Sequence, residues 1–399
     1  MLIDFDINLE KMLEQLYAFC EINSGSRNIS GLAKMHDILK HAFLPIVDKA
    51  ETHELPPVSG INLSGKKTND TLGALLYLRK RPHLKHRVLL TGHMDTVYSE
   101  NHPLQQVKIL EPGILNGPGV ADMKGGLIVI LHALIAFEKT AFAKNIGWDV
   151  VINADEELGS PASAEFFKTI RGQYQAALVY EPASTIDGTF ARSRKGSGKF
   201  TLVATGKSAH AGRDFDAGRN AITYLAEALL AINQLNQNQN QKNITINIAQ
   251  INGGEALNIV PDIAVAKLDV RIAHPDDQDF VLAQFESIIK QLRRQDYTLS
   301  LHGEFGRPVK QINAASEALF KRLQDIAKPQ ELNIDWQDTG GCCDGNNLAE
   351  DGLAVIDTLG VRGGKIHSKD EFILIDSLIE RVKLTTLLLI DLAQNGLET

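Results

Sequence analysis

The stretch RVLLTGHMDTVY, residues 87–98, decides how the chain folds. The apolar run 87–90 reads as a buried strand, and His93 and Asp95 follow where that strand ends. On a strand, residues two apart face the same way, so these two side chains can act together. Imidazole is the commonest metal ligand among side chains, and a carboxylate on its second nitrogen fixes the tautomer. The same pair could equally be a polar rim hydrogen bond, and the residues alone leave both readings open.

Outward from that strand, apolar runs at 74–78, 148–152 and 176–179 read as further buried strands. Residues 8–22, 31–42, 125–139 and 162–170 have helical spacing. Strands alternating with helices imply an α/β fold: a mixed, mostly parallel sheet with helices on both faces. Such sheets place ligand sites beyond the carboxyl ends of their strands. The middle of the chain differs. A strand at 200–205, helix at 218–233, strands at 244–251 and 264–272, helix at 276–293 and strand at 298–303 give the order β-α-β-β-α-β. That is a ferredoxin-like unit, able to form a compact domain by itself. Segments 313–326, 334–337, 354–357 and 377–392 then return to α/β alternation. The expected organisation is one domain of residues 1–196 and 309–399, interrupted by an inserted domain of residues 197–308. The polar run NQLNQNQNQKN, 233–243, reads as a solvated turn between helix and strand.

At 399 residues the chain is too long for one core, which suits two domains. Its net charge of −8 argues against nucleic acid or an anionic membrane as partner, since either favours a basic face. The N-terminus MLIDFDINLEKMLEQL has acids where a signal peptide needs a basic region. The strongest apolar run, around 126–135, is interrupted by His132 and is expected to fall short of a bilayer span. Three cysteines, two of them adjacent, make no disulfide framework, and a cytoplasmic location is the simplest expectation.

Four more segments carry chemistry. In NGPGVADMKGGL, 116–127, Asp122 lies in a glycine-rich turn before an apolar helix, where an acid is ordinarily a cap. In VVINADEELGS, 150–160, a buried strand ends in Asp155, Glu156 and Glu157; adjacent acids repel unless solvent, protons or cations relieve them. Glu181 closes the strand in LVYEPAS, 178–184, and His367 follows two glycines in GGKIHSKDEF, 363–372. Together they put two imidazoles and several carboxylates at the strand ends of one α/β domain. That donor set suits zinc, with cobalt or manganese as alternatives.

TGHMDTVY, GPGVADMKGG, NADEELGS, YEPAS, GKSAHAG, GGEALNIVPD and LGVRGGKIHSKDE, in that order from about residue 85 onward, resemble the M20 metallopeptidase family. The resemblance implies a zinc-peptidase-like catalytic domain holding two zinc ions and an inserted dimerisation, or lid, domain. It implies that Asp122 bridges the metals and precedes a cis peptide bond, that His93 and Glu181 complete one site, and that Glu157 and His367 complete the other. Glu156 matches the general base, which moves a proton from the bridging water to the leaving amine. Asp95 matches the partner of His93. His210, in GKSAHAG, matches an oxyanion donor that reaches the second subunit's site of a homodimer. Asn258, Arg271 and Arg307 match substrate-side residues, Arg307 as a clamp on a substrate carboxylate, although both arginines could equally be surface ion pairs.

The expected function is a two-metal amidohydrolase acting on a small peptide, most simply a carboxypeptidase similar to the glutamate carboxypeptidases. N-deacylation of an acyl-amino acid is the alternative reaction, and a non-catalytic metal-dependent binding protein the alternative class. GINLSGKK, 60–67, nearly spells a phosphate loop, but Lys67 stands where Ser or Thr is required, so it reads as a polar turn. Cys342 and Cys343 lie in a glycine loop, TGGCCDGNN, without an evident partner base.

Overall fold

The computed structural model describes residues 5–237 and 243–397. Its main sheet has six strands in the spatial order Lys49–His53, Leu75–Lys80, Gly147–Asn153, Arg87–His93, Ala176–Val179, Ala354–Ile356. The two central strands, Arg87–His93 and Gly147–Asn153, are buried along their whole lengths. Strands covered on both faces read as continuous apolar runs, which is why these two were plain in the sequence.

The sheet is mixed. Gly147–Asn153, Arg87–His93, Ala176–Val179 and Ala354–Ile356 run parallel to one another, while Lys49–His53 with Leu75–Lys80, and Leu75–Lys80 with Gly147–Asn153, pair antiparallel. The expectation of a mostly parallel sheet is therefore corrected at one edge. The link 81–86 is too short for a crossover, which needs a dozen or more residues, so Leu75–Lys80 must run against Arg87–His93.

The helix Gly125–Glu138 has almost no exposed face, with Leu127, Ile128, Val129, Ile130 and Leu131 fully buried. It continues from an irregular turn, Val120–Lys124, in which Asp122 and Met123 leave helical geometry. Taken together, Val120–Glu138 is long and apolar enough to cross a membrane by length and composition, contrary to the shorter run expected. Yet 94% of that window is buried inside the protein, so other elements already cover its faces. His132 on this helix is buried against Gln15, Nε2 to Oε1 2.6 Å.

A second, four-stranded antiparallel sheet has the order Thr245–Gly253, Ile263–Ile272, Gly196–Thr205, Thr298–Arg307. With helices Ala221–Gln237 and Asp277–Gln291 it is the ferredoxin-like unit expected, and it has its own core around Phe200, Leu202, Leu225, Leu268 and Phe285. The polar run 233–243 differs from its expected turn. Residues up to Gln237 extend the helix, and 238–242 lie outside the described residues. GINLSGKK spans a hairpin, Val58–Ile61 against Lys67–Asp70, in which Gly60 pairs within a strand and Gly65, at a positive φ of 75°, serves the turn.

Two chain crossings join the units, and they are pinned together. Arg194 and Lys310 exchange backbone hydrogen bonds of 3.0 and 3.1 Å. Their side chains converge on buried Asp357, Arg194 Nη2 at 2.7 Å and Lys310 Nζ at 3.2 Å.

Candidate metal centre

Three parallel strands deliver their carboxyl ends to one place. His93 is the last residue of Arg87–His93, Glu156 and Glu157 follow Gly147–Asn153, and Glu181 follows Ala176–Val179. Asp122 enters from the irregular turn, and the Asp122–Met123 peptide is cis. His367 enters from the loop before Phe372–Leu374, at a positive φ of 61°.

Asp122 sits between the histidines, Oδ1 3.1 Å from His93 Nε2 and Oδ2 3.1 Å from His367 Nε2. Glu181 Oε1 is 3.8 Å from His93 Nε2, and Glu157 Oε2 is 3.3 Å from His367 Nε2. Two triads result, His93–Asp122–Glu181 and Asp122–Glu157–His367, each with donor atoms within 4.8 Å of one another and both sharing Asp122. The donor chemistry fits two cations. Glu157 Oε1 is buried with no hydrogen-bond partner among the described residues, an acceptor left for something that is not protein.

The electrostatics agree. Burial and the Asp122 carboxylate push Glu157 up to about 8, and burial with Glu156 and Asp122 raises Glu181 well above the carboxylate range. Burial would raise Asp122 too, but the bonds from His367 and His93 hold it low. Hydrogen bonds to Asp122 and Glu157 lift His367 to about 11. Acids driven toward protonation and imidazoles driven toward charge are what a buried, acid-rich pocket produces without cations.

Asp95 is buried and does more than expected. Its carboxylate accepts from the Glu156 and Glu157 amides at 3.2 and 3.1 Å and from Ser26 Oγ at 2.7 Å. His93 Nδ1 is nearer to the Asp95 carbonyl, 2.9 Å, than to its carboxylate, 3.4 Å. Asp95 thus orients His93 mainly through its backbone and the glutamate turn through its side chain.

Glu156 and Glu157 diverge, though not along an extended chain: Glu156–Leu158 is a tight 3-10 turn. Glu157 faces His367, whereas Glu156 belongs to neither triad and accepts from Arg307 Nη2 at 2.6 Å. Arg307 is therefore not a surface ion pair. It is buried, and the same Nη2 also reaches the Glu156 carbonyl at 2.8 Å and Ser160 Oγ at 3.0 Å, while Nη1 has no hydrogen-bond partner among the described residues. Arg271 is half-buried, with Nε on Asp269 at 2.6 Å and Nη1 2.8 Å from Cys342 Sγ. It too pairs within the protein, but remains partly open to solvent.

His210 and Asn258 lie together in exposed loops of the second unit. The Asn258 carbonyl accepts from the Ala211 amide at 2.9 Å, and His210 Nδ1 accepts from Gly212 and Arg213 amides at 3.1 Å. These partners all belong to the second unit, and none is a member of the metal triads.

Sequence reasoning missed the supporting residues. Asp344 takes Ser160 Oγ at 2.5 Å and Asn153 Nδ2 at 2.8 Å, and Glu371 receives the turn that carries Asp122. Both stood inside segments quoted for other residues, TGGCCDGNN and GGKIHSKDEF, but a carboxylate that binds only protein atoms has no spacing signature.

Comparison with known proteins agrees with this geometry. Residues 192–296, within which most of the second unit falls, match the M20 peptidase dimerisation domain family. The chain is 29% identical to carboxypeptidase G2 of Pseudomonas sp. (strain RS-16) over 307 residues, covering 76% of this chain and 74% of that protein. It is 27% identical to the succinyl-diaminopimelate desuccinylase of Colwellia psychrerythraea over 303 residues, 72% of this chain and 75% of that one. A crystal structure of a tripeptidase from Staphylococcus aureus superposes with a TM-score of 0.73 at 21% identity, covering 98% of this chain and 100% of that one. A ferredoxin-like unit set into an α/β domain, with two metal triads sharing one aspartate, defines a two-metal amidohydrolase. Residues 192–296 belong to the M20 peptidase dimerisation domain family, and the chain as a whole is similar to metallopeptidases and amidohydrolases.

Proposed function

We propose that the chain is a dimeric two-zinc carboxypeptidase that releases a C-terminal amino acid from a small peptide or acyl-amino acid. The observation that carries this reading is the pair of triads sharing Asp122, with a buried glutamate, Glu156, beside them and in neither. His93, Asp122 and Glu181 would hold one zinc, and Asp122, Glu157 and His367 the other; cobalt or manganese would suit the same donors. When bound, two such cations supply Lewis acidity to an amide carbonyl and lower the pKa of water toward about 7.

The chain's own residues do the rest. Glu156, unligated, can take a proton from the attacking water on a carboxylate oxygen and return it to the departing nitrogen. Arg307 fixes the carboxylate that does so, and Asp95 fixes the turn beneath it through the Glu156 and Glu157 amides. Arg271 and Asn258 are the proposed substrate-side groups. His210, exposed in the second unit, would place an N–H toward the oxyanion in the site of a second copy. Residues 197–308 then form the dimerisation domain and residues 1–196 with 309–399 the catalytic domain. The free thiols of Cys20, Cys342 and Cys343 suit a reducing, cytoplasmic setting.

The likeness to carboxypeptidase G2 supports release of a C-terminal residue, and that to a desuccinylase supports N-deacylation as the second reading. Both need the same metal chemistry and differ in which side of the amide is recognised. Peptides ending in glutamate, assayed with zinc beside N-succinyl and N-acetyl amino acids, separate the two. Higher kcat/KM on the peptides is expected, and a preference for acyl-amino acids would overturn the carboxypeptidase assignment.

A further inference from the structure

Glu371 stands four residues after His367 and is fully buried, yet it belongs to neither metal triad. Its side chain is spent on the protein's own backbone. Oε1 accepts from the amides of Ala121 at 2.8 Å and Asp122 at 3.0 Å. Oε2 accepts from the amide of Gly119 at 3.3 Å and lies against the hydroxyl of Tyr98. Three amides of one turn therefore converge on one carboxylate, the concave arrangement by which successive backbone N–H groups receive an anion. Here the anion is a side chain of the same protein.

The surroundings fix that side chain in turn. Asn116 Nδ2 donates to the Glu371 carbonyl at 2.6 Å, and the strand that follows, Phe372–Leu374, pairs with Ile114–Asn116. Tyr98, buried, also has its hydroxyl 2.9 Å from the Ser368 carbonyl. Gly119 adopts a positive φ of 75°, and a Cβ there would come within 2.9 Å of Thr96 Cγ2, so the turn has one way to pass. Three ligand-bearing segments meet at Glu371: the loop after His93 through Tyr98, the turn of Asp122 through its amides, and the segment of His367 through the chain itself.

We infer that Glu371 is a positioning residue that aims the Asp122 carboxylate at both metal sites, so that its loss weakens both cations together. The inference rests on the two-metal reading. A carboxylate accepts at two oxygens and a carboxamide at one, so Glu371→Gln leaves at least one amide of the 119–122 turn facing an N–H. Partners of this kind, one shell removed from the metal, are typically worth about 10–100-fold in metal affinity.

The test titrates zinc into metal-stripped protein in competition with a chromophoric chelator and reads both binding steps. Wild type is expected to bind two zinc ions. Glu371→Gln is expected to weaken both steps by about 10–100-fold. Glu181→Gln, which removes a donor from one triad alone, is expected to weaken one step. Tyr98→Phe takes one donor from Glu371 and should weaken both steps by a smaller factor; it carries the test if Glu371→Gln fails to fold. Cobalt in place of zinc adds a visible spectrum, whose ligand-field bands should shift in the Glu371 variant and stay put if the residue only supports the fold. Two zinc ions bound with wild-type affinity by Glu371→Gln, or a loss confined to one step, would overturn the inference. Wild type that binds no zinc would instead sink the two-metal reading beneath it.

Discussion

Arg307, the last residue of a strand in the ferredoxin-like unit, donates to Glu156 Oε1 at 2.6 Å, and both side chains are buried. The acid beside the metal triads is therefore gripped by the other structural unit. Burial raises the pKa of Glu156 above the ordinary carboxylate value, and the Arg307 charge opposes part of that rise. Arg307 also lies 3.7 Å from Asp344 through Nη1, which ties the pair to the glycine loop at 340–347.

Through Nη2 the guanidinium is engaged by protein, so its expected role is to position Glu156 rather than to clamp a substrate carboxylate. Arg307→Lys should lower kcat by about 10–100-fold through misplacement of Glu156, since an error of an ångström can cost that much. KM should stay near wild type, and the preference for a free C-terminal acid over its amide should not change. Steady-state kinetics on both substrates checks this. A selective rise in KM for the free acid would return Arg307 to the substrate-clamp role. Glu156→Gln should lose about 10²–10⁴-fold in kcat while keeping its zinc, as loss of a general base predicts.

How much of this was legible in the sequence follows from what each residue binds. His93, Asp122, Glu157, Glu181 and His367 each close a strand or a glycine turn, and strand ends are visible as the point where an apolar run stops. The antiparallel edge of the main sheet was not legible, because strand Lys49–His53 has only half-buried and exposed residues and thus no apolar run. Direction was also hidden: a run of apolar residues carries no sign, and only the short link 81–86 dictates that Leu75–Lys80 points the other way. The Arg307–Glu156 pair joins residues 151 positions apart, a contact that no local pattern encodes. Resemblance matched Arg307 to a substrate-side residue, and its contact with Glu156 is an addition that only the fold reveals.

His210 poses a question of assembly. It is exposed, its partners lie in its own loops, and the proposed role places it in the site of a second copy. His210→Ala and Glu156→Ala homodimers should each be nearly inactive. Mixed and reassembled, they should recover up to about a quarter of wild-type activity. In half of the molecules, those that are heterodimers, one of the two sites then has both residues intact; an oxyanion donor is commonly worth about 10²–10³ in kcat, so the signal stands clear of background. Activity of the mixture is measured after subunit exchange, with exchange verified separately. Recovery absent from a mixture shown to contain heterodimer would place His210 in its own subunit's chemistry or outside the reaction.

Asp357 anchors both crossings between the units, and its neutralisation should be felt across the molecule. Burial would raise its pKa, but Arg194 and Lys310 overcome that and hold it well below the usual carboxylate range. Because the folded-state pKa is depressed, the stabilisation is present above the unfolded value near 3.9 and is lost as pH falls through the folded one. Asp357→Asn leaves two buried cations short of their anion and should cost about 3–5 kcal/mol. Chemical unfolding followed by tryptophan fluorescence reads this well, since Trp148 and Trp336 both lie outside the ferredoxin-like unit. A loss under about 1 kcal/mol would mean that the crossings are held by their backbone pairing, as an ordinary surface pair contributes no more than that.

His132 gives the fold an acid sensitivity that is separable from the metal centre. Burial on the apolar helix, with a smaller contribution from Lys11, pushes its pKa down to about 4 from an ordinary 6.5. A histidine with a depressed folded-state pKa binds its proton more readily in the unfolded chain. Its contribution is therefore neutral above about 6.5, and stability is withdrawn as pH falls from there toward about 4, by up to about 1.4 kcal/mol per pH unit. The unprotonated ring keeps its bond to Gln15, whose Oε1 accepts from Nε2–H at 2.6 Å, so the neutral tautomer is satisfied where it stands. His132→Gln removes the titrating group while retaining an amide that can donate to Gln15. The variant should match wild type within about 1 kcal/mol at pH 8, as a near-isosteric polar exchange allows. Between pH 6.5 and 4 its unfolding midpoint should fall less steeply than that of wild type, measured in metal-free buffer so that the metal triads contribute alike to both. Parallel curves across that range would show that His132 is already protonated in the folded state and that its burial is relieved by solvent.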